Sequence, residues 1–296
     1  MNSLKRNEKL EVSYFPTKNE FDVKKIKGKF DVILFANNEL DAIPEFMDGI
    51  DNIGIPIVTK TGDPHRAKEY KQIELHEKLK IDAYWSLQPK EYFYEYYPKG
   101  IFYKEILWGI ESSKYQNLNA YSNRIKDRIL NSGNIGRTDT RSKMLHKFSR
   151  KINSALYFYK LRTMCNDLEY VDYAGMKNNF YINEDYPEYL SRYCSAIATG
   201  TIYPVIKFFE IPAAGCLTFM EITERNHGKY LGFEDNKSAI FINEKNYREK
   251  FEEYLDDPRD ERWEKIAKAG REHSLNSANN DTAVEHLVEI MQELIR

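Results

Sequence analysis

The sequence predicts an α/β protein made of two consecutive units, each a parallel sheet covered by helices. Three observations lead there. The 296 residues are roughly twice the usual length of one domain. Short apolar runs recur with helical segments between them. This rhythm lapses once, near the middle of the chain, and then resumes.

In the first unit, residues 30–36, 55–60, 81–86 and 101–107 are short apolar runs that end in turn residues and read as buried strands. The segments between them, 39–50, 65–79 and 89–97, read as helices. Strand and helix in alternation point to a parallel sheet buried on both faces. From 111 to 126 the pattern gives way to Ser, Asn, Gln and Tyr, the composition of a linker. Alternation returns beyond it. Strands are expected at 128–132, 168–173, 195–198, 217–220 and 238–242, with helices at 138–151, 154–166, 186–193, 206–214, 247–256 and 259–273. A last helix, 282–295, follows an Asn-rich turn and sets Val284, Leu287, Met291 and Leu294 on one face at helical spacing, which marks it for packing. The domains are therefore expected at 1–120 and 121–280, with 281–296 a terminal helix lying on the body or across to the first domain.

With 44 basic and 46 acidic residues, the net charge of −2 supplies no general attraction to nucleic acid or to anionic membranes. Three widely spaced cysteines, Cys165, Cys194 and Cys216, fit neither a disulfide framework nor a zinc site, and suggest a reducing, cytoplasmic setting. Lys5, Arg6 and Lys9 have no apolar run behind them, so no secretory leader is expected. The most apolar stretch, 202–220, is interrupted by Pro204, Lys207, Glu210 and Pro212 and does not read as a membrane span. Membrane contact, if any, is then peripheral. The histidines occur singly and no Asp-x-Asp motif is present, so no metal site is expected.

Several segments can carry chemistry. In 200–215 a glycine-containing loop leads into a helix with Lys207 and Glu210 on one face. The pair suits a phosphate and a ribose, with the helix N-terminus adding partial positive charge, and equally suits a plain ion pair. In 129–141 a strand runs into a loop with Gly133 and Gly136 and then a basic helix, where backbone N–H groups, Arg137 and Arg141 can meet phosphate. Residues 137–162 hold eight Lys or Arg against the single acid Asp139, a pattern of a solvated helix face or of a surface for an anionic partner. After the strand 55–60, Thr61-Gly62-Asp63-Pro64-His65 stands where an open α/β sheet keeps its functional crevice. Asp63 there can cap a helix that starts at Pro64, and Asp63 with His65 can also serve an acceptor hydroxyl. Glu221 and Glu224 follow a strand and could reach a bound sugar or lie exposed.

The run Lys207-Phe208-Phe209-Glu210-Ile211-Pro212-Ala213-Ala214-Gly215 is followed by a strand, by Gly228-Lys229-Tyr230-Leu231-Gly232-Phe233, by Ser238-Ala239-Ile240-Phe241-Ile242 and by a helix closing at Tyr254-Leu255-Asp256-Asp257-Pro258. This succession resembles the C-terminal domain of GT-B glycosyltransferases, in particular the group 1 or spore-maturation branch with its Arg/Lys-x-Phe-Glu-x-x-Ala-x-Gly core. The resemblance implies two Rossmann-like domains facing a cleft, the first of them shortened. It implies a hexosyltransferase-like enzyme with a nucleotide diphosphate sugar as co-substrate, no other cofactor and no metal. By the same resemblance Glu210 grips the donor ribose, Lys207 approaches the diphosphate, Gly133 and Arg141 flank the phosphates, and Gly215 completes the donor segment. Asp63 and His65 match a Gly-Asp-Pro-His stretch on the acceptor side, and Leu107 to Tyr115 resembles the end of the first domain. Ile202 stands where many retaining members carry a second glutamate, which leaves the stereochemical outcome open. The expected acceptor is a glycan, a lipid-linked or a small molecule. The rival readings are a non-catalytic protein that binds nucleotide or glycan, and a polyanion-binding protein that uses 137–162.

Overall fold

The computed structural model describes residues 2–16, 19–39, 43–44, 46–136, 155–175 and 185–296. The chain divides into two compact units, one of Met1–Trp108 with Asp281–Arg296 and one of Gly109–Asn280.

The first unit is built on four parallel strands in the order β1-β2-β3-β4, namely β1 (Ile33–Phe35), β2 (Ile57–Lys60), β3 (Ala83–Ser86) and β4 (Phe102–Glu105). Each falls within an apolar run read from the sequence. Because side chains alternate across a strand, Ile57, Tyr84 and Tyr103 face one core with Phe93 and Tyr97. There the Phe93 ring stacks on Tyr97 at 4.3 Å and on Tyr103 at 4.0 Å. Val58, Ala83 and Ile106 face the other core, which the helix Asn280–Ile295 completes with Ala283, Val284, Leu287, Val288, Ile290 and Met291. Arg6 and Lys9, in and just after the helix Asn2–Arg6, pair with Asp281 at 2.8 Å and Glu285 at 2.5 Å on the same helix.

Two helices expected here are different in the structure. The described residues of 39–50 contain no α-helix: Phe46 pairs with Glu20 in an isolated bridge, and a 3-10 turn follows at Ile50–Asn52. Pro44 cannot donate a helical hydrogen bond, and Gly49 takes φ 79°, which ends any helix before Ile50. The helix expected at 65–79 is a 3-10 turn at Pro64–Arg66 and an α-helix only from Gln72 to Leu79, separated by Lys71 at φ 53°.

The second unit holds five parallel strands: β5 (Ile125–Ser132), β6 (Val171–Ala174), β7 (Tyr193–Ala198), β8 (Leu217–Glu221) and β9 (Ile240–Ile242). Their order is β6-β5-β7-β8-β9. β7 is buried along its entire length, which is why it reads as an unbroken small and apolar run. Ile129, Ile197, Phe219 and Ile240 build the core with Phe251 and Tyr254 of the helix Tyr247–Asp256 and Trp263 of the helix Glu261–Ser277. The helix expected at 154–166 is two short ones, Ala155–Phe158 and Lys160–Cys165, broken at Tyr159 with φ −126°. The helix expected at 138–151 lies outside the described residues. All three cysteines are buried free thiols.

Candidate functional site

In the second sheet β5 is flanked by β6 on one side and β7 on the other, so the direction of winding reverses at the β5–β7 boundary. The carboxyl ends of strands at such a reversal frame the ligand crevice of open α/β sheets. β5 ends there at Ser132 and runs into Gly133, and β7 ends at Ala198 and runs into Thr199 and Gly200.

Gly133 takes φ +104°, a conformation that L side chains rarely adopt. A Cβ at this position would lie 2.6 Å from Lys207 Nζ and 3.0 Å from Arg162 Nη1. Two cationic groups from separate helices therefore converge on one glycine. Lys207 Nζ donates to Ser132 Oγ at 3.2 Å, and that hydroxyl shares a 2.7 Å hydrogen bond with Tyr186 OH. The ammonium also stands 5.4 Å from the Tyr186 ring centroid. Arg162 is buried, and its guanidinium is fixed by Thr199 Oγ1 at 3.3 Å, by the Thr199 carbonyl and by the Asn134 carbonyl at 3.4 Å. None of these partners is a carboxylate. Burial lowers the basicity of both groups, and the Arg162 charge lowers Lys207 further.

Glu210 shares the helix Lys207–Ala213 with Lys207. Burial raises its carboxyl above the ordinary range, against the opposing pull of Lys207. Its charge in turn raises the buried hydroxyls of Tyr115 and Tyr186, after their own burial. The plain ion pair that the spacing allowed is not how Lys207 is held, since its hydrogen bond goes to Ser132. Gly215 stands at the opposite end of the helix from Lys207. At φ 77° it donates to Pro212 O at 2.7 Å while Cys216 N reaches Ile211 O at 3.4 Å, the pair of bonds that closes a helix through a left-handed residue.

Asp63 and His65 lie in the first unit, after β2. Asp63 occupies the N-cap position of Pro64–Arg66, but its side chain makes no capping bond. His65 Nδ1 meets Tyr92 OH at 3.0 Å, and burial lowers its basicity although Asp63 pulls the other way. Arg141 lies outside the described residues. The structure thus gathers Gly133 with Lys207, keeps Glu210 on the same short helix and places Asp63 and His65 in another unit. It adds Arg162, Ser132 and Tyr186, which sequence reasoning missed. Arg162 counts in the sequence only as the last member of the basic run 137–162, and its burial is a tertiary fact. Among the described residues no group of three or more His, Cys, Asp or Glu is arranged to hold a metal ion. No helix among them is long and apolar enough to cross a membrane.

Two parallel α/β units, one with a cationic corner at its strand reversal, define the GT-B architecture of glycosyltransferases. Residues 141–289 match the family described as glycosyl transferase-like, and the chain belongs to that family. Solved structures agree on the fold. HepE of Anabaena, in complex with UDP and glucose, is 10% identical with a TM-score of 0.54, over 91% of this chain and 80% of that one. Sucrose-phosphate synthase of Thermosynechococcus elongatus is 13% identical with a TM-score of 0.57, over 92% and 76%. An alpha-glucosyltransferase in complex with UDP-glucose and DNA containing an abasic site is 12% identical with a TM-score of 0.59, over 90% and 82%. No curated protein matches by sequence.

Proposed function

We propose that this chain is an enzyme of the hexosyltransferase class that moves a sugar from a nucleoside diphosphate sugar to an acceptor hydroxyl. The observation that carries the reading is the corner at Gly133, where Lys207 and Arg162 meet without a carboxylate between them. A diphosphate matches that charge. The guanidinium offers a planar fork to phosphate oxygens and the ammonium a point charge. Negative charge grows on the diphosphate as the sugar leaves, so preorganised cations stabilise the transition state more than the bound donor. In this reading the two cations serve in place of a divalent ion, and the Glu210 carboxylate accepts hydrogen bonds from the ribose. Arg141 joins the donor phosphates as a further proposed contact.

The first unit takes the acceptor, a glycan, a lipid-linked or a small molecule. His65 is the proposed base there. Its lowered basicity keeps the imidazole neutral at pH 7, able to accept the proton of a hydroxyl, with Asp63 beside it as a stabilising charge. The complexes of HepE and of the alpha-glucosyltransferase with UDP and UDP-glucose make uracil the first base to try. Calorimetry with a panel of nucleotide sugars tests the donor assignment. Binding of one donor that Lys207→Ala and Glu210→Ala each weaken supports it; no donor bound, or undiminished binding in both variants, overturns it.

A further inference from the structure

The same end of the second sheet holds a buried carboxylate that the donor reading leaves unused. Glu221 closes β8 at 2% exposure. Its Oε2 and the Thr201 Oγ1 are both buried and make no other hydrogen bond among the described residues, while the Thr201 hydroxyl and the Gly200 N–H favour the carboxylate form of Glu221. Its main chain lies beside the residues that hold Arg162, since Ala198 pairs with Met220 and the next residues are Thr199 and Glu221. Arg162 holds Thr199 through its hydroxyl and its carbonyl. In the adjoining loop, Asn226 Nδ2 donates to the Gly200 carbonyl at 2.9 Å and to the Glu221 carbonyl at 2.6 Å. The turns after β7 and β8 thus form one polar layer that holds the Arg162 guanidinium at Thr199 and the Glu221 main chain at Asn226.

The charged and titratable groups that act on Glu221 come from its neighbours, since β8 has no other. Arg162, on the helix Lys160–Cys165, favours the carboxylate. Glu244, beyond β9, opposes it and is itself ion-paired with Lys160. Cys165 is a thiol pushed up by burial and by the Glu221 charge. Burial outweighs all of these and holds the Glu221 carboxyl up to about 7.

We propose that Glu221 is a positioning residue for Arg162 and its internal counter-charge, and that donor binding is accompanied by uptake of a solvent proton at Glu221. The inference rests on the donor reading above. Ionised, Glu221 offsets one of the two cations and repels the incoming phosphates through a weakly screening interior. Protonated, it leaves the full charge of Arg162 and Lys207 to the diphosphate. Binding and protonation therefore favour each other, by the reciprocity of linked equilibria. Lys207 responds to pH in the same direction, so a substitution at Glu221 separates the two.

The test is calorimetry of the full chain with UDP at pH 6 and pH 8, in two buffers of different ionisation enthalpy. The wild type is expected to bind more tightly at pH 6. Glu221→Gln, uncharged and of the same shape, is expected to bind UDP about 3- to 10-fold more tightly than wild type at pH 8 and to take up fewer protons. Loss of a merely structural side chain weakens binding instead. A folded Glu221→Gln protein with equal or weaker affinity at pH 8, or with unchanged proton uptake, overturns the inference. Glu221→Met carries the same expectation and decides if the Gln variant does not fold. A wild type that binds no nucleoside diphosphate overturns the donor reading itself, a separate result.

Discussion

At Gly133 the absence of a side chain keeps the point between Lys207 Nζ and Arg162 Nη1 open. Gly133→Ala puts a methyl there and forces an unfavourable φ, at a cost of about 1–3 kcal/mol in stability. The expected outcome is a lowered melting temperature together with UDP binding lost in calorimetry. Arg162→Met separates site from scaffold. It removes a buried charge whose hydrogen bonds go to Thr199 and Asn134 and to no carboxylate, so a cooperative thermal transition should survive while UDP binding weakens by about 100-fold. For Glu221 the sign of the pH effect follows from a carboxyl raised to about 7 from an ordinary 4.5. The folded state then binds the proton more tightly than the unfolded chain. This contribution is complete below the unfolded value and is lost as pH rises through 7. Glu221→Gln should consequently stabilise the protein against urea at pH 8, by about 1–3 kcal/mol, and much less at pH 5.

Among the described elements, the strands were legible in the sequence because most are short runs with apolar, buried residues, as β2, β7 and β8 are. The helices were less so. The apolar residues of 39–50 fit a helical pattern, yet Pro44 and the left-handed Gly49 disfavour an α-helix there, and the described residues Ile43, Met47 and Ile50 reach the core without one. The site was legible where one segment carries it, as Lys207 and Glu210 do. It was not where strangers in sequence meet: Arg162 and Gly133 are brought together only by the β5–β7 reversal. Gly215 ends the helix that Lys207 begins. Gly215→Ala strains a left-handed helix stop and brings a methyl 3.2 Å from Arg124 Nη2. It should cost about 1 kcal/mol in chemical denaturation and leave nucleotide affinity unchanged, since it lies at the far end of the helix from Lys207.

The molecule as a whole is interrupted: the first unit begins the chain, the second is inserted after Trp108, and residues from Asp281 onward return to the first. Within the second unit its first and last residues lie side by side, with Ile110 N on Ala278 O at 3.0 Å and Asn280 N on Ile110 O at 2.9 Å. Leu287→Ala hollows the core that Asn280–Ile295 completes and should destabilise the first unit by about 2–5 kcal/mol. In hydrogen exchange, protection should fall at β2 and β3 and persist at β7 and β8. The returning helix also fixes an order of events during synthesis. When a ribosome has made β1 to β4, the face formed by Val58, Ala83 and Ile106 has only Leu4 and Leu10 from the preceding chain to pack on it and must wait for its helix until the inserted unit has been translated, on the order of 10–40 s later. The unit encoded first is thus the last to be finished, and through that interval an apolar sheet face is offered to chaperones and to other nascent chains.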